Sequence, residues 1–369
     1  MRHTSSLPRS SARPAVQSRE ERSARPPIML REIFQAPERV AILLEREAQA
    51  LEKALAPLRR DRPPLIFLAG RGTSHHAAIY GHYLFEHLLG IPVSGAALSL
   101  FTLYPSPLHL KGALAIGISQ SGESADVVRA LQTARRLGAF TVAVTNVRGS
   151  ALATTAHHTV HLHALKERAV AATKTYIAQV VAMVLICRAL GADIPEAEIA
   201  GFPDAIRTAL QAEDAIAEAA HYYRYAPRCL CLARGFNYCT VRETALKLME
   251  TCYIGSVGMS AADFLHGPVA FVDQTTPTLF FAPEGPTCRF MLNLAHRLAR
   301  QGVDVLSFTN AQEIADASTL AVVAPVRMRE ALTPVAFGAL GQLFSCHLAL
   351  VRGLNPDAPR RLTKVTRTL

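Results

Sequence analysis

The 369-residue sequence has no tryptophan and no apolar run that reaches the ~18 residues of a membrane span, so no membrane contact is expected. The N-terminus lacks the apolar core of a secretory signal, which argues against export. Seven cysteines (Cys187, Cys229, Cys231, Cys239, Cys252, Cys288 and Cys346) include no C-x-x-C pair, which removes zinc-ribbon and dithiol redox chemistry. Cys229 and Cys231 alternate within an apolar strand-like run, so reduced, buried thiols in a cytoplasmic protein are the expectation. No G-x-G-x-x-G and no Walker lysine follows a strand, which argues against dinucleotide and nucleotide P-loop sites. Neither a basic recognition helix nor a run of interleaved aromatic and basic residues is present, so nucleic acid is not an expected partner. The histidine clusters (His75–His76, and His157, His158, His161 and His163) lack a cysteine or carboxylate at metal spacing, so no metal is expected.

The chain does have ample apolar material: half of its residues are hydrophobic, enough for two ordinary domains with real cores. Its formal charge of +10 is uneven. Six arginines against Glu20 and Glu21 put +4 into the first 30 residues. Residues 1–28, rich in Arg, Ser and Pro without apolar periodicity, read as a disordered, dispensable extension or a misassigned start. An amphipathic pattern begins at Met29.

The body repeats itself at an offset of 163–164 residues. The apolar run 65–70 ends in Arg71–Gly72, as 230–233 ends in Arg234–Gly235. Ala115–Ile118 leads into Ser119–Gly122, as Thr278–Phe281 leads into Ala282–Gly285. Thr141–Asn146 matches Val305–Asn310. Each copy alternates near-continuous apolar runs with helical periodicity, the mark of parallel strands buried on both faces. The expected fold class is α/β: two tandem three-layer αβα domains, over 29–200 and 201–352, with parallel sheets. A helical stretch near 175–225 joins them, a last helix lies near 335–352, and 353–369 forms a tail.

Ligands of such sheets sit beyond the carboxyl ends of the strands. There the first copy offers Thr73 and Ser74 after one strand, and Ser119, Ser121 and Ser124 around Gly122 after the next. Hydroxyls and a close backbone suit a phosphate. The second copy has Ala282–Pro283–Glu284–Gly285 instead, acidic and without hydroxyls, so one phosphate site per chain is expected. It supplies carboxylates: Glu243 and Glu250 are seven apart, on one helical face. Near apolar Leu246, Met249 and Tyr253 such a carboxylate could shuttle a proton between sugar carbons, although a solvated acidic face has the same spacing. His266, in a His-Gly-Pro turn, is a side chain able to open a sugar ring.

Together, Gly-Arg-Gly-Thr-Ser-His-His-Ala at 70–77, Ile-Ser-Gln-Ser-Gly-Glu-Ser at 118–124, Ala-Ala-Thr-Lys-Thr at 171–175, Leu-Ala-Arg-Gly-Phe-Asn-Tyr at 232–238, His-Gly-Pro at 266–268 and Pro-Arg-Arg-Leu-Thr-Lys at 359–364 resemble the sugar isomerase (SIS) family. Within it, the isomerase half of glucosamine-6-phosphate synthase is similar over about 29–369. The resemblance implies a sugar-phosphate pocket of Thr73, Ser74, Ser119, Gln120, Ser121 and Ser124, lined by Val170 and Thr363. It implies Glu250 as the acid/base between C1 and C2, His266 as the ring opener reaching across a homodimer, and Lys364 as the tail lysine that forms an imine with the ketose. No cofactor is implied. Asp263 replaces the family's Glu and Arg168–Ala169 its Ile-Gly, departures that bear on substrate detail.

No cysteine precedes Cys187, so the synthase's N-terminal thiol for glutamine is missing from these residues. The expected activity is therefore that of the SIS-type deaminase, glucosamine 6-phosphate and water to fructose 6-phosphate and ammonia. Three rivals stay open: an enzyme for galactosamine 6-phosphate or a fructosamine phosphate, an isomerase without deamination, and a sugar-phosphate-binding regulatory module.

Overall fold

The computed structural model describes residues 25–104, 106 and 108–364. Residues 1–24, most of the expected disordered extension, and 365–369 of the tail lie outside the described residues. Strands β1 (Ile66–Gly70), β2 (Val93–Gly95), β3 (Leu114–Ile118), β4 (Phe140–Thr145) and β5 (His158–His161) form one sheet. Strands β6 (Arg228–Ala233), β7 (Gly255–Ser260), β8 (Thr278–Phe281), β9 (Val305–Thr309) and β10 (Leu320–Val323) form a second. Every pairing is parallel. The orders β2-β1-β3-β4-β5 and β7-β6-β8-β9-β10 are the same order twice, so the sequence repeat is a repeat of topology. Every residue of β1, β3, β8 and β9 is buried, as their unbroken apolar runs require of strands covered on both faces.

In each sheet the chain turns to one side after its first strand and returns to the other side for its third. That reversal leaves a crevice between β1 and β3, and another between β6 and β8, at the strands' carboxyl ends. Gly70 stands opposite Ile118 in register, so the loops that follow β1 and β3 emerge side by side.

The expected joining helix is four shorter ones: Lys174–Ala189, Glu196–Ala200, Phe202–Leu210 and Glu213–Tyr222. Gly191 at φ +103°, Pro195 and Pro203 break it. The first is buried all round and lies against the helices Ala36–Arg60 and Thr73–Leu89. The last helix, Pro334–Val351, corrects the expectation of no span-length apolar run. It has 18 residues and the hydropathy of a span, yet 83% of it is buried inside the protein, as a core helix. It crosses the helix Tyr238–Lys247 at Gly341, where a Cβ would overlap the Thr244 hydroxyl. All seven cysteines are free and buried.

The two ends of the described chain meet. The first helix starts at Ile28, one residue ahead of the expected boundary. Its Ile28 and Met29 amides donate to the Asp357 carboxylate at 2.8 and 2.7 Å, a cap supplied by the tail.

Candidate active site

The crevice between β1 and β3 holds the hydroxyls expected there. Thr73 opens the helix Thr73–Leu89, and Ser124 is the N-cap of the helix Ala125–Arg136. Arg71 clamps the two loops by donating to Asp126 from Nε and Nη2 at 2.9 and 2.5 Å. Ser119 and Ser121 fold the loop on itself, their Oγ atoms accepting the Gly122 and Glu123 amides at 3.2 and 3.3 Å. The Gln120 carbonyl accepts the Asn146 amide at 3.0 Å. Gly122 sits at φ +68° with the Ser150 hydroxyl where a Cβ would be, so the close approach that needs glycine is to Ser150. The buried Ser74 Oγ accepts from Gln179 at 3.0 Å, which leaves its own hydrogen to donate.

The equivalent crevice of the second sheet is filled from within. Glu330 accepts the Thr287 amide at 3.0 Å and the Thr287 hydroxyl at 2.8 Å, at the start of the helix Cys288–Arg300. Gly235 and Gly285, the counterparts of Gly72 and Gly122, leave room for this carboxylate. An anion-binding helix N-terminus thus receives a side-chain carboxylate in the second copy.

The helix that carries the two glutamates departs from the expected form. It is α-helical over Tyr238–Lys247, becomes π-helical over Leu248–Cys252 and ends at Tyr253 in a left-handed conformation of φ +56°. Glu250 lies on the π turn, a wider coil common at functional sites. Both carboxylates meet the Lys247 ammonium, Glu243 at 3.3 Å and Glu250 at 2.6 Å, which puts them on one face as the spacing requires. The partner of Glu250 is therefore an ammonium, where the sequence suggested an apolar wall: Met249 is exposed and the Tyr253 hydroxyl accepts the Arg360 amide at 2.8 Å. Nor is the acidic face solvated, since Glu243 is 2% exposed.

Lys247 also donates to Thr73 at 3.3 Å, so a hydroxyl of the first sheet and a carboxylate of the second share one charge. Glu243 is held further by Thr73 Oγ1 at 3.1 Å and His76 Nδ1 at 2.7 Å. Burial alone would push the Glu243 carboxyl up, but the Lys247 ammonium and the His76 and Thr73 contacts outweigh it and hold it low. Burial likewise opposes the charge on Lys247, and the two carboxylates more than restore it, so its value is raised.

The tail enters beside this turn. The Arg360 guanidinium lies 4.2 Å from the Tyr253 ring centroid. Four residues on, a reach of at most about 14 Å, Lys364 Nζ donates to Glu167 Oε2 at 2.7 Å, to the Ala169 carbonyl at 2.8 Å and to the Val170 carbonyl at 3.5 Å. Val170 in turn donates its amide to the Asp357 carbonyl at 3.3 Å. Thr363 is exposed in the same tail. His266 is not brought to Glu250. It caps the short helix Ala261–Leu265 at the surface, and among the described residues no hydrogen bond reaches its ring.

Sequence reading missed Lys247, His76 and Glu167. A lysine within a helix reads as a surface residue, although its position four after Glu243 and three before Glu250 foreshadowed the pairing. Glu167 had one signal: it lies 163 residues before Glu330, on the repeat.

The SIS domain model matches residues 62–188 and again 222–352. This chain belongs to the SIS domain family. Glutamine–fructose-6-phosphate aminotransferase [isomerizing] of Pyrococcus horikoshii is 33% identical over 343 residues, covering 91% of this SIS chain but 57% of that protein. The SIS chain thus spans little more than half the length of such relatives. A solved candidate phosphosugar isomerase from Silicibacter pomeroyi is 33% identical, with a TM-score of 0.82 over 90% of this chain and 100% of that one. Glucosamine-6-phosphate deaminase from Thermotoga maritima, at 19% identity and a TM-score of 0.76 over 92% of this chain and 100% of that one, shares the fold. The recognition made from the motifs is borne out, and the chain is a member of the sugar-phosphate isomerase superfamily.

Proposed function

We propose that this chain isomerises and deaminates an amino-sugar 6-phosphate, converting glucosamine 6-phosphate and water to fructose 6-phosphate and ammonia. The observation that carries this reading is the Lys247 ammonium shared by Thr73, at the phosphate crevice, and Glu250, on the second sheet. A sugar held by its phosphate in the first sheet then has a carboxylate beside it. Thr73, Ser74, Ser119, Ser121 and Ser124, with the amides that open the helix Ala125–Arg136, hold the phosphate. Gln120, Val170 and Thr363 line the sugar.

In a homodimer the partner subunit's His266 opens the ring. Glu250 then takes the C2 proton and returns it to C1, which leaves a C2 iminium bearing the substrate's amino group. The neutral amine of Lys364 adds to C2 and ammonia leaves. Water adds in turn, frees the lysine and leaves the ketone.

The test is ammonia release from a panel of amino-sugar 6-phosphates. Glucosamine 6-phosphate should release it, and Glu250→Gln and Lys364→Ala should abolish release. Aldose–ketose exchange without ammonia would reduce the activity to isomerisation. A sugar phosphate that stabilises the fold and is never turned over would make the protein a binding module.

A further inference from the structure

We propose that Glu167 is the built-in counter-ion of the iminium that Lys364 forms at the sugar's C2. This rests on the imine role of Lys364 proposed above and extends it to a residue that acts through that lysine.

The Glu167 side chain is completely buried, and a carboxylate at that depth demands donors. It has five: the Thr173 amide and hydroxyl at 2.9 and 3.3 Å, the Thr175 amide and hydroxyl at 3.2 and 2.6 Å, and Lys364 Nζ at 2.7 Å. The first four belong to the start of the buried helix Lys174–Ala189, so the carboxylate is fixed without the tail. Its cation is the one partner that arrives from elsewhere, on a side chain that is 25% exposed. Glu330, at the same place in the second copy, turns to Thr287 and meets no cation among the described residues.

The other charges nearby are already engaged. Lys174 pairs with Glu32 at 3.3 Å and donates to Gln35 and the Lys166 carbonyl. Glu32 also takes the Arg168 and Ala169 amides at 2.7 and 3.1 Å. The Asp357 carboxylate caps the first helix, and Arg168 points to solvent. Glu167 therefore answers to Lys364.

Charge balance gives this pair its purpose. When an ammonium condenses with a ketone, the N–C2 bond forms, the C2–O bond breaks, and two of the three N–H protons leave with that oxygen as water. The nitrogen keeps one proton and its full positive charge. A carboxylate placed for the ammonium is equally placed for the iminium, and no charge has to be created in a dry site. Of the three acceptors around Nζ, the carboxylate is the strongest for the one remaining N–H, and the Ala169 and Val170 carbonyls are released. In the reverse direction, from the ketose, the retained cation at C2 is the electron sink that makes the C1 proton removable by Glu250.

The experiment is borohydride trapping of fructose 6-phosphate on the full-length protein, with the modified residue located by mass spectrometry across pH. Wild type should be trapped at Lys364. Glu167→Gln should lose about tenfold or more in trapped yield and in kcat, with KM little changed. The pH profile of trapping should change with it, because the anion that faces the lysine is gone. Glu167→Asp, which keeps the charge, should recover much of both effects and carries the test if the glutamine variant does not fold. Stabilisation by inorganic phosphate should be the same in all folded variants. Trapping of Glu167→Gln with wild-type yield and pH profile overturns the counter-ion role alone. Turnover by wild type without any adduct at Lys364 removes the imine, and this inference with it, before any variant is made.

Discussion

Replacing Lys247 by Met removes one ammonium from three partners: Glu243 at 3.3 Å, Glu250 at 2.6 Å and Thr73 at 3.3 Å. The methionine fills similar space, so the loss is mainly electrostatic. Glu243, 2% exposed, then keeps only His76 and Thr73 as partners. Breaking a buried pair from one side costs about 3–5 kcal/mol, and Glu250, 23% exposed on its side chain, adds little because water screens it.

The sign of the pH dependence follows from Glu243. In wild type its carboxyl is held low, so its contribution to stability is present above the ordinary glutamate range and fades as pH falls through the depressed value. Without Lys247 the largest opposing influence is gone and burial prevails, so the folded value rises above the unfolded one. Glu243 then takes up a proton on folding, and the variant gains relative stability as pH falls. Over that window the gain is about 1.4 kcal/mol per pH unit. Urea unfolding at pH 7 and pH 5 measures both quantities. The variant should lose about 3–5 kcal/mol at pH 7 and about 1–3 kcal/mol less than that at pH 5, and Glu243→Gln added to it should return part of the loss. A cost below about 1 kcal/mol at pH 7, the figure of an exposed pair, refutes the reasoning, as does an equal cost at both pH values.

Glu250→Gln should lower sugar-phosphate isomerisation by about 10²–10⁴-fold while inorganic phosphate still raises the melting temperature, because the carboxylate and the phosphate crevice are separate. Gly122→Ala forces an L side chain to φ +68° and onto the Ser150 hydroxyl; about 2–4 kcal/mol should be lost in urea unfolding, with weaker stabilisation by phosphate. Gly341→Ala pushes against Thr244, which adjoins Glu243, and should cost about 1–3 kcal/mol with a fall in activity. Asp357→Ala should speed hydrogen exchange at the Ile28 and Met29 amides and cost about 0.5–2 kcal/mol, the value of a lost helix cap.

The duplicated α/β layout was legible because buried parallel strands leave unbroken apolar runs, and three pairs of such runs kept one spacing. The hydroxyl-lined crevice proposed for phosphate was legible because Ser119, Ser121 and Ser124 crowd around a glycine after one of those runs. The surroundings of Glu250 were not. Helical periodicity assigns a face to a residue but does not say what covers that face, so the spacing that foreshadowed the Lys247 pairs did not show that its ammonium is buried, and nothing in it announced the π turn. Breaks at Gly191, Pro195 and Pro203 were visible in the sequence and were overridden by the helical periodicity around them. The Lys364–Glu167 pair joins residues 197 apart, and nothing local announces it.

The Asp357 cap links the opening helix mechanically to the closing tail. Pulling the tail aside strips that helix of its electrostatic anchor, and with it the grip of Glu32 on the very backbone that cradles Lys364. The beginning and the end of the described chain therefore work as one clasp: whatever loosens either of them slackens the seat of the lysine.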